Sequence, residues 1–471
     1  MESSDSENEV GFAQNVEFGL ESSASEGDTE ASDLSDHESD TLSEAADIDI
    51  GTGDHQEEDI IQWVHIQPPV DKELFSGVSG LQVNITVVYF WSHDMIDFNS
   101  AYNNFSLNLL QLLFKQSADT NVLYSPASTS IALSMLQAGS DGSTRSQLSN
   151  ALFYELSEKQ AEEGMQNVVS SILGAAEPTV FRCANRIYLS SALDFIGSFG
   201  DELRRNFDAS VEMVDFGSSS KLRTEINDWV ANETLGKIKV LIGEDVLSTA
   251  NQMVLVNAIY FKGEWADKFD PQNTKEAPFW AFGKKKVLCD LMQLSTSCYY
   301  YEDDTCQSIK LPYGGSDALS LAVILPRNAK GMTEFLCTHL GARNLAKFLD
   351  RGNEETVRIY LPKFKVEAAF SFKSSLMALG IVDAFNGSLS NFSRMVRNAS
   401  ALKADEVIHK AFIEVNEEGT EAGAATAITM TGRSAAREYE FRAERPFVYA
   451  IYDDNLKIPL FIGVLNEPTK K

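Results

Sequence analysis

Basic residues are missing from the first sixty positions. That stretch holds no lysine or arginine but 20 of the chain's 69 acidic residues. It is built of Ser, Asp, Glu and Gly and cannot bury enough apolar surface to offset the entropy of ordering. Residues 1–60 are therefore expected to form a disordered acidic tail, and 61–96 a linker. The rest of the chain carries 49 acids against 39 bases. So mild an acidity excludes nucleic acid as a partner, because phosphate binding needs a basic face. Cysteine is scarce and odd in number, five in 471 residues with no CxxC pair, which argues against a disulfide framework or a zinc site. Long apolar runs are also lacking, so no membrane partner is expected. The first twenty residues have no apolar core and no signal-peptide pattern. Val78–Trp91 is the most apolar early run, too short and polar for a membrane span. It reads as a signal sequence behind an internal start, as a leading strand, or as an error in the gene. No GxSxG or other nucleophile motif is present, so the chain is not expected to be an enzyme.

Two surface signals stand outside this list. Asn-x-Ser/Thr sequons occur at Asn84, Asn104, Asn232, Asn386, Asn391 and Asn398. They favour a secreted, extracellular glycoprotein over a cytoplasmic one. Ser4, Ser23, Ser25, Ser35 and Thr41 each have an acid three places on, which suits an acidophilic kinase as well as an unmodified tail.

The texture changes near Phe98. Residues 105–115 show helical apolar spacing. Pro126 suits a helix start, with Ser125 as its cap. Residues 157–175 read as an amphipathic helix with an acidic face, and 185–191 as a strand. The run 253–265 is almost continuously apolar, which suits a strand buried on both faces. Asn257 interrupts it and needs hydrogen-bond partners if buried. His409 lies near another apolar strand without a nucleophile context.

The most informative stretch is 417–434, EEGTEAGAATAITMTGRS. Every second residue from Thr420 gives Thr420, Ala422, Ala424, Thr426, Ile428 and Met430, a small and then apolar face. The other face, Glu421, Gly423, Ala425, Ala427, Thr429 and Thr431, is expected to meet water. Alternation of this kind marks a half-buried strand. Glycine and alanine give it weak strand propensity, so a flexible linker is the competing reading from composition.

EEGTEAGAAT, followed by RPFVYAIYD and IPLFIGVLNEP, resembles the hinge, reactive-centre loop and terminal strands of the serpin family. The resemblance covers about residues 97–471, taken as the serpin domain. It implies an α+β fold of about nine helices and three β-sheets with an exposed reactive-centre loop. The family's specificity residue usually lies fourteen places after the hinge glycine. Counting from Gly419, this implies Arg433, with Ser434 across the scissile bond. The implied hinge is Glu418, Gly419, Thr420, Glu421, Ala422, Gly423, Ala424, Ala425 and Thr426; Gly423 departs from the commoner alanine. Ser125, Ser128, Asn257 and His409 match the family's shutter, and Trp265 the breach at the top of the central sheet. Thr129 stands where an apolar residue is usual. The acidic helix 157–175 lacks the basic cluster through which some serpins bind heparin, so no heparin site is expected.

The resemblance implies a suicide-substrate inhibitor without cofactor or metal, expected as a monomer. A trypsin-like serine protease would cut Arg433–Ser434 and remain covalently trapped as the loop inserts into the sheet. A non-inhibitory carrier or chaperone of the same fold is the alternative.

Overall fold

The computed structural model describes residues 97–468 apart from 118, 154–155, 176, 317, 329–330, 399–400 and 421–437. The expected tail and linker, 1–60 and 61–96, lie outside these residues. Among the described residues there are nine α-helices and three sheets, as expected.

The opening helix, α1, spans Phe98–Gln116 and is capped by Asp97, whose side chain accepts the Ser100 N–H at 2.8 Å. Leu109, Leu110 and Leu113 place its apolar stripe wholly inside. Helix α2, Pro126–Ala138, begins as expected. Proline occupies the first turn, where its missing N–H costs nothing, and Ser125 accepts the Ser128 N–H at 3.1 Å. Its residues 126–136 are all buried, which makes it the central helix beneath the sheet. Helix α3, Gly142–Phe153, precedes α4, Glu158–Leu173, which starts with a capping box from Ser157 and Gln160.

The six-stranded sheet positions the candidate site. Its order is Phe364–Ser371, Glu406–Val415, Gly419–Thr420, Met253–Glu264, Val180–Ser190, Ser210–Val214. Met253–Glu264 is buried along nearly its whole length, because both faces of the sheet are covered. One face packs on the main core with α1 and α2 and includes Leu255, Ile259, Ala411 and Ile413. The other carries a second apolar cluster of Val254, Val256, Tyr260 and Phe412. Ser219–Glu233, a later helix, covers that cluster with Leu222, Ile226 and Val230 at helical spacing. Trp229 of this helix packs at its rim, with the Arg186 guanidinium 4.0 Å from its ring centroid. Such a contact contributes about 0.5–2 kcal/mol.

The nine-stranded sheet contains a hairpin formed by Cys306–Pro312 and Leu319–Pro326. It also contains the strands on the far side of the loop. Tyr439–Arg442 pairs in parallel with Asn353–Pro362. Phe447–Asp453 and Ile458–Leu465 run through the core with every residue buried. No described helix is long and apolar enough to cross a membrane.

Candidate functional site: a hinge seated between two strands

Residues 416–420 turn back from the end of the Glu406–Val415 strand. Gly419 and Thr420 then pair antiparallel with Glu264 and Gly263, and Thr420 also pairs with Val415. Two residues of the implied hinge thus already occupy a strand position between their neighbours. Below them the neighbours pair directly with each other, in parallel, from Glu406–Val254 to Phe412–Tyr260. The seam is closed along its length and forked at its upper end.

Gly419 is required at the fork. Its φ is +156°, and an added Cβ would lie 2.1 Å from the Gly263 carbonyl oxygen and 2.6 Å from Glu264 Cα. Both obstacles are backbone, so no side chain fits. Thr420 is fully buried, and its hydroxyl lies 2.7 Å from that of Tyr313. Tyr313 stacks on Trp265, with ring centroids 4.9 Å apart and planes 13° apart. Trp265 closes the top: its indole N–H donates to the Asn416 carbonyl and its backbone N–H to that of Glu418, both at 2.9 Å.

Two acids anchor the turn. Glu417 meets Lys363 at 2.9 Å and accepts the Thr274 hydroxyl at 2.9 Å. Burial alone would raise its carboxyl pKa, but the hydrogen bonds from Lys363 and Thr274 bring it below the usual value. Glu418 lies 3.6 Å from Lys268, which also pairs with Glu264 at 2.7 Å. The remaining implied hinge residues, Glu421 to Thr426, and the bond Arg433–Ser434 lie outside the described residues.

The four implied shutter residues meet halfway down the seam. His409 stands opposite Asn257, and Asn257 opposite Asn185 on the next strand. A polar row therefore crosses three strands. The Ser125 N–H donates to His409 Nε2 at 3.1 Å, so the proton is on Nδ1, which donates to the Asn257 side-chain oxygen. The Asn257 amide nitrogen donates to the Ser128 carbonyl at 2.7 Å, to the Ser128 hydroxyl and to the Asn185 oxygen. Ser125 Oγ donates to the Leu460 carbonyl at 2.6 Å. Ser128 thus has no direct bond to His409 and reaches it through Asn257 and through Ser125. Complete burial lowers the His409 pKa to about 3, so the imidazole is neutral at physiological pH. It stacks on Phe372 at 5.0 Å. The neighbouring Thr129 is buried with its hydroxyl unpaired among the described residues.

Three members of these clusters are absent from the sequence reading. Asn185 lies in a strand that was recognised, and its pairing with Asn257 follows only from register. Cys183, two residues earlier on the same strand face, has its sulfur 3.1 Å from both the Ser128 hydroxyl and the Asn185 amide. Tyr313 directly follows the Cys306–Pro312 strand and bridges to Trp265. Among the described residues no group of three His, Cys, Asp or Glu side chains has metal-binding geometry.

A sheet forked to admit a glycine-led segment, above a central helix and a polar cross-strand row, defines a class of protein. A profile for the family described as Serpin (serine protease inhibitor) matches residues 100–468, and the chain belongs to that family. It is 36% identical to Serpin B6 of Macaca fascicularis over 378 residues, covering 78% of this chain and 98% of the relative. It is 34% identical to the leukocyte elastase inhibitor of Xenopus laevis over 382 residues, covering 79% of this chain and all of that protein. The crystal structure of Serpin48 from the insect Tenebrio molitor superposes with a TM-score of 0.72 at 27% identity, over 80% of this chain and all of Serpin48.

Proposed function

We propose that the chain inhibits a trypsin-like serine endopeptidase as a suicide substrate, through cleavage of Arg433–Ser434 and insertion of the freed loop into the six-stranded sheet. It is not an enzyme and needs no cofactor. The reading is carried by the register of Gly419 and Thr420. Continued down the seam, that register sets Ala422 between Ile413 and Phe261, and Ala424 between Ala411 and Ile259. Thr426 then falls between His409 and Asn257, Ile428 between Val407 and Leu255, and Met430 between Asp405 and Met253. Small residues come first, where bulk would obstruct entry. The hydroxyl of Thr426 falls at the polar row, and apolar residues follow where the main core continues. In the proposed inserted strand the second face, read from sequence as facing water, would fall on the cluster of Tyr260 and Phe412, which suits Gly423 and Ala425.

Entry requires the direct pairing from Glu406–Val254 to Phe412–Tyr260 to part. Twelve residues at about 3.4 Å each then form a strand on the order of 40 Å long. The acylated protease is carried that distance and held. Arg433 offers a long cation to a pocket with an acid at its base, as trypsin-like enzymes have.

Relatives named leukocyte elastase inhibitor support a second specificity, for an elastase cutting at an apolar residue such as Met430. One experiment separates the readings. The protein is incubated with trypsin-like proteases and with an elastase, and SDS-resistant complexes and released C-terminal peptides are measured. A complex with a trypsin-like enzyme and a peptide starting at Ser434 is expected. A different first residue moves the bond. Cleavage without any complex favours the carrier or chaperone reading. The inhibitor is proposed to be monomeric.

Secretion is proposed from the sequons, since Asn104, Asn232, Asn386 and Asn398 are all exposed. A mass loss of the native protein on treatment with an N-glycan amidase is expected. An unchanged mass returns it to a reducing compartment, which suits five unpaired cysteines.

A further inference from the structure

Lys275–Ala281 and the start of Lys285–Glu302 form a hairpin in the nine-stranded sheet. Its turn exposes three consecutive lysines, Lys284, Lys285 and Lys286, in a chain of net charge −30. Lys285 pairs with Glu467 at 3.2 Å. No ion pair reaches Lys284 or Lys286 among the described residues. Beside them Trp280 is 48% exposed and Leu288 38%.

The backbone of this hairpin has an open edge. The Trp280 N–H donates to the Glu444 carbonyl at 2.8 Å, away from the strand it pairs with. Trp280 and Lys286, opposite each other, are therefore a non-hydrogen-bonded pair. By alternation so are Pro278–Leu288 and Glu276–Asp290. The Asp290 carbonyl agrees, since it points outward and accepts the Lys363 N–H at 2.8 Å. It follows that the N–H and C=O groups of Lys286 and Leu288 also point out of the hairpin. Among the described residues no hydrogen bond uses them. Lys286 and Leu288 also line a cleft of about 740 Å³, together with Lys285, Val287, Pro468 and two acids, Asp119 and Glu467.

We propose that this edge is a docking groove for an extended acidic segment of a partner protein, added to the sheet as a further strand. Main-chain hydrogen bonds to Lys286 and Leu288 supply the attachment, and the side chains select the sequence. Acidic residues of the segment align with Lys284, Lys285 and Lys286, and apolar residues beyond them pack on Val287 and Leu288. A sulfated glycan meets the lysines equally well but has no peptide groups for the open edge. The groove does not depend on the inhibitory reading.

The test is fluorescence anisotropy with labelled ten-residue peptides, half Asp and half Val, in both orders, and full-length protein. One order should bind, with a dissociation constant on the order of 10–100 μM. N-methylating alternate peptide bonds keeps the charge and removes the donors, and should weaken binding at least about tenfold. A double substitution of exposed residues, Lys284→Glu with Lys286→Glu, should do the same. Equal binding of the N-methylated peptide, tighter binding of a heparin fragment, or no binding at millimolar peptide would each overturn the proposal.

Discussion

The hydroxyls of Tyr313 and Thr420 lie 2.7 Å apart in a fully buried position at the head of the seam. Thr420→Arg places a cation there, beside Tyr313, while the nearby carboxylates of Glu264 and Glu418 are already engaged by Lys268. Desolvating an unpaired charge costs several kcal/mol, so the hinge should be excluded from the sheet. Cleavage of the loop needs no insertion and should continue. The variant should therefore change from inhibitor to substrate, seen as a fall in the ratio of trapped to cleaved product. Cleaved wild-type protein should melt well above the intact form, and the cleaved variant should gain much less. A wild-type melting temperature unchanged by cleavage would show that no strand is added.

Specificity should rest on Arg433. Arg433→Ala removes the cation that the protease pocket recognises and should reduce inhibition of Arg-cutting enzymes by at least about 100-fold, the loss of a buried charge pair. Undiminished inhibition would assign the cut to Arg437. The second-order rate constant with a single trypsin-like protease is sufficient.

The acidic tail should be dispensable for inhibition. Its charge lies in residues 1–60, before the family match at 100–468. Deleting 1–60 should leave the inhibition rate within a few-fold. A larger loss at low salt that disappears at high salt would show electrostatic steering of basic proteases.

The sequence shows its elements more readily than its contacts. Pro126 after Ser125 announces a helix start because capping is local chemistry. The apolar run around Asn257 announces a doubly buried strand because burial is read from composition. That Asn257 bonds to Asn185 as well as His409 is not local. It depends on strands far apart in sequence meeting in one register, which no single window encodes. The same is true of Tyr313, whose role arises from the backbone path of Gly419. Alternation in 420–431 was legible, but beyond Thr420 that stretch lies outside the described residues.

His409 supplies a test of the seam by pH. Burial lowers its pKa from 6.5 to about 3, so the folded state resists a proton that the unfolded chain accepts. The stability is fully present above pH 6.5. It should fall as pH drops from 6.5 toward 3, by about 1.4 kcal/mol per unit for this one group. Glu417 also contributes, but its carboxyl is lowered from 4.5, so its share is lost only at more acid pH. The interval from 6.5 to 4.5 therefore separates His409 from Glu417. Protonation would also remove the lone pair that receives the Ser125 N–H, loosening the polar row where the strands must part. His409→Gln keeps a hydrogen-bonding side chain without the titration. It should flatten the pH dependence between 6.5 and 4.5 while lowering stability at pH 7. Guanidinium unfolding midpoints followed by tryptophan fluorescence give the comparison. Parallel slopes for the two proteins would show that His409 is not the group that resists the proton.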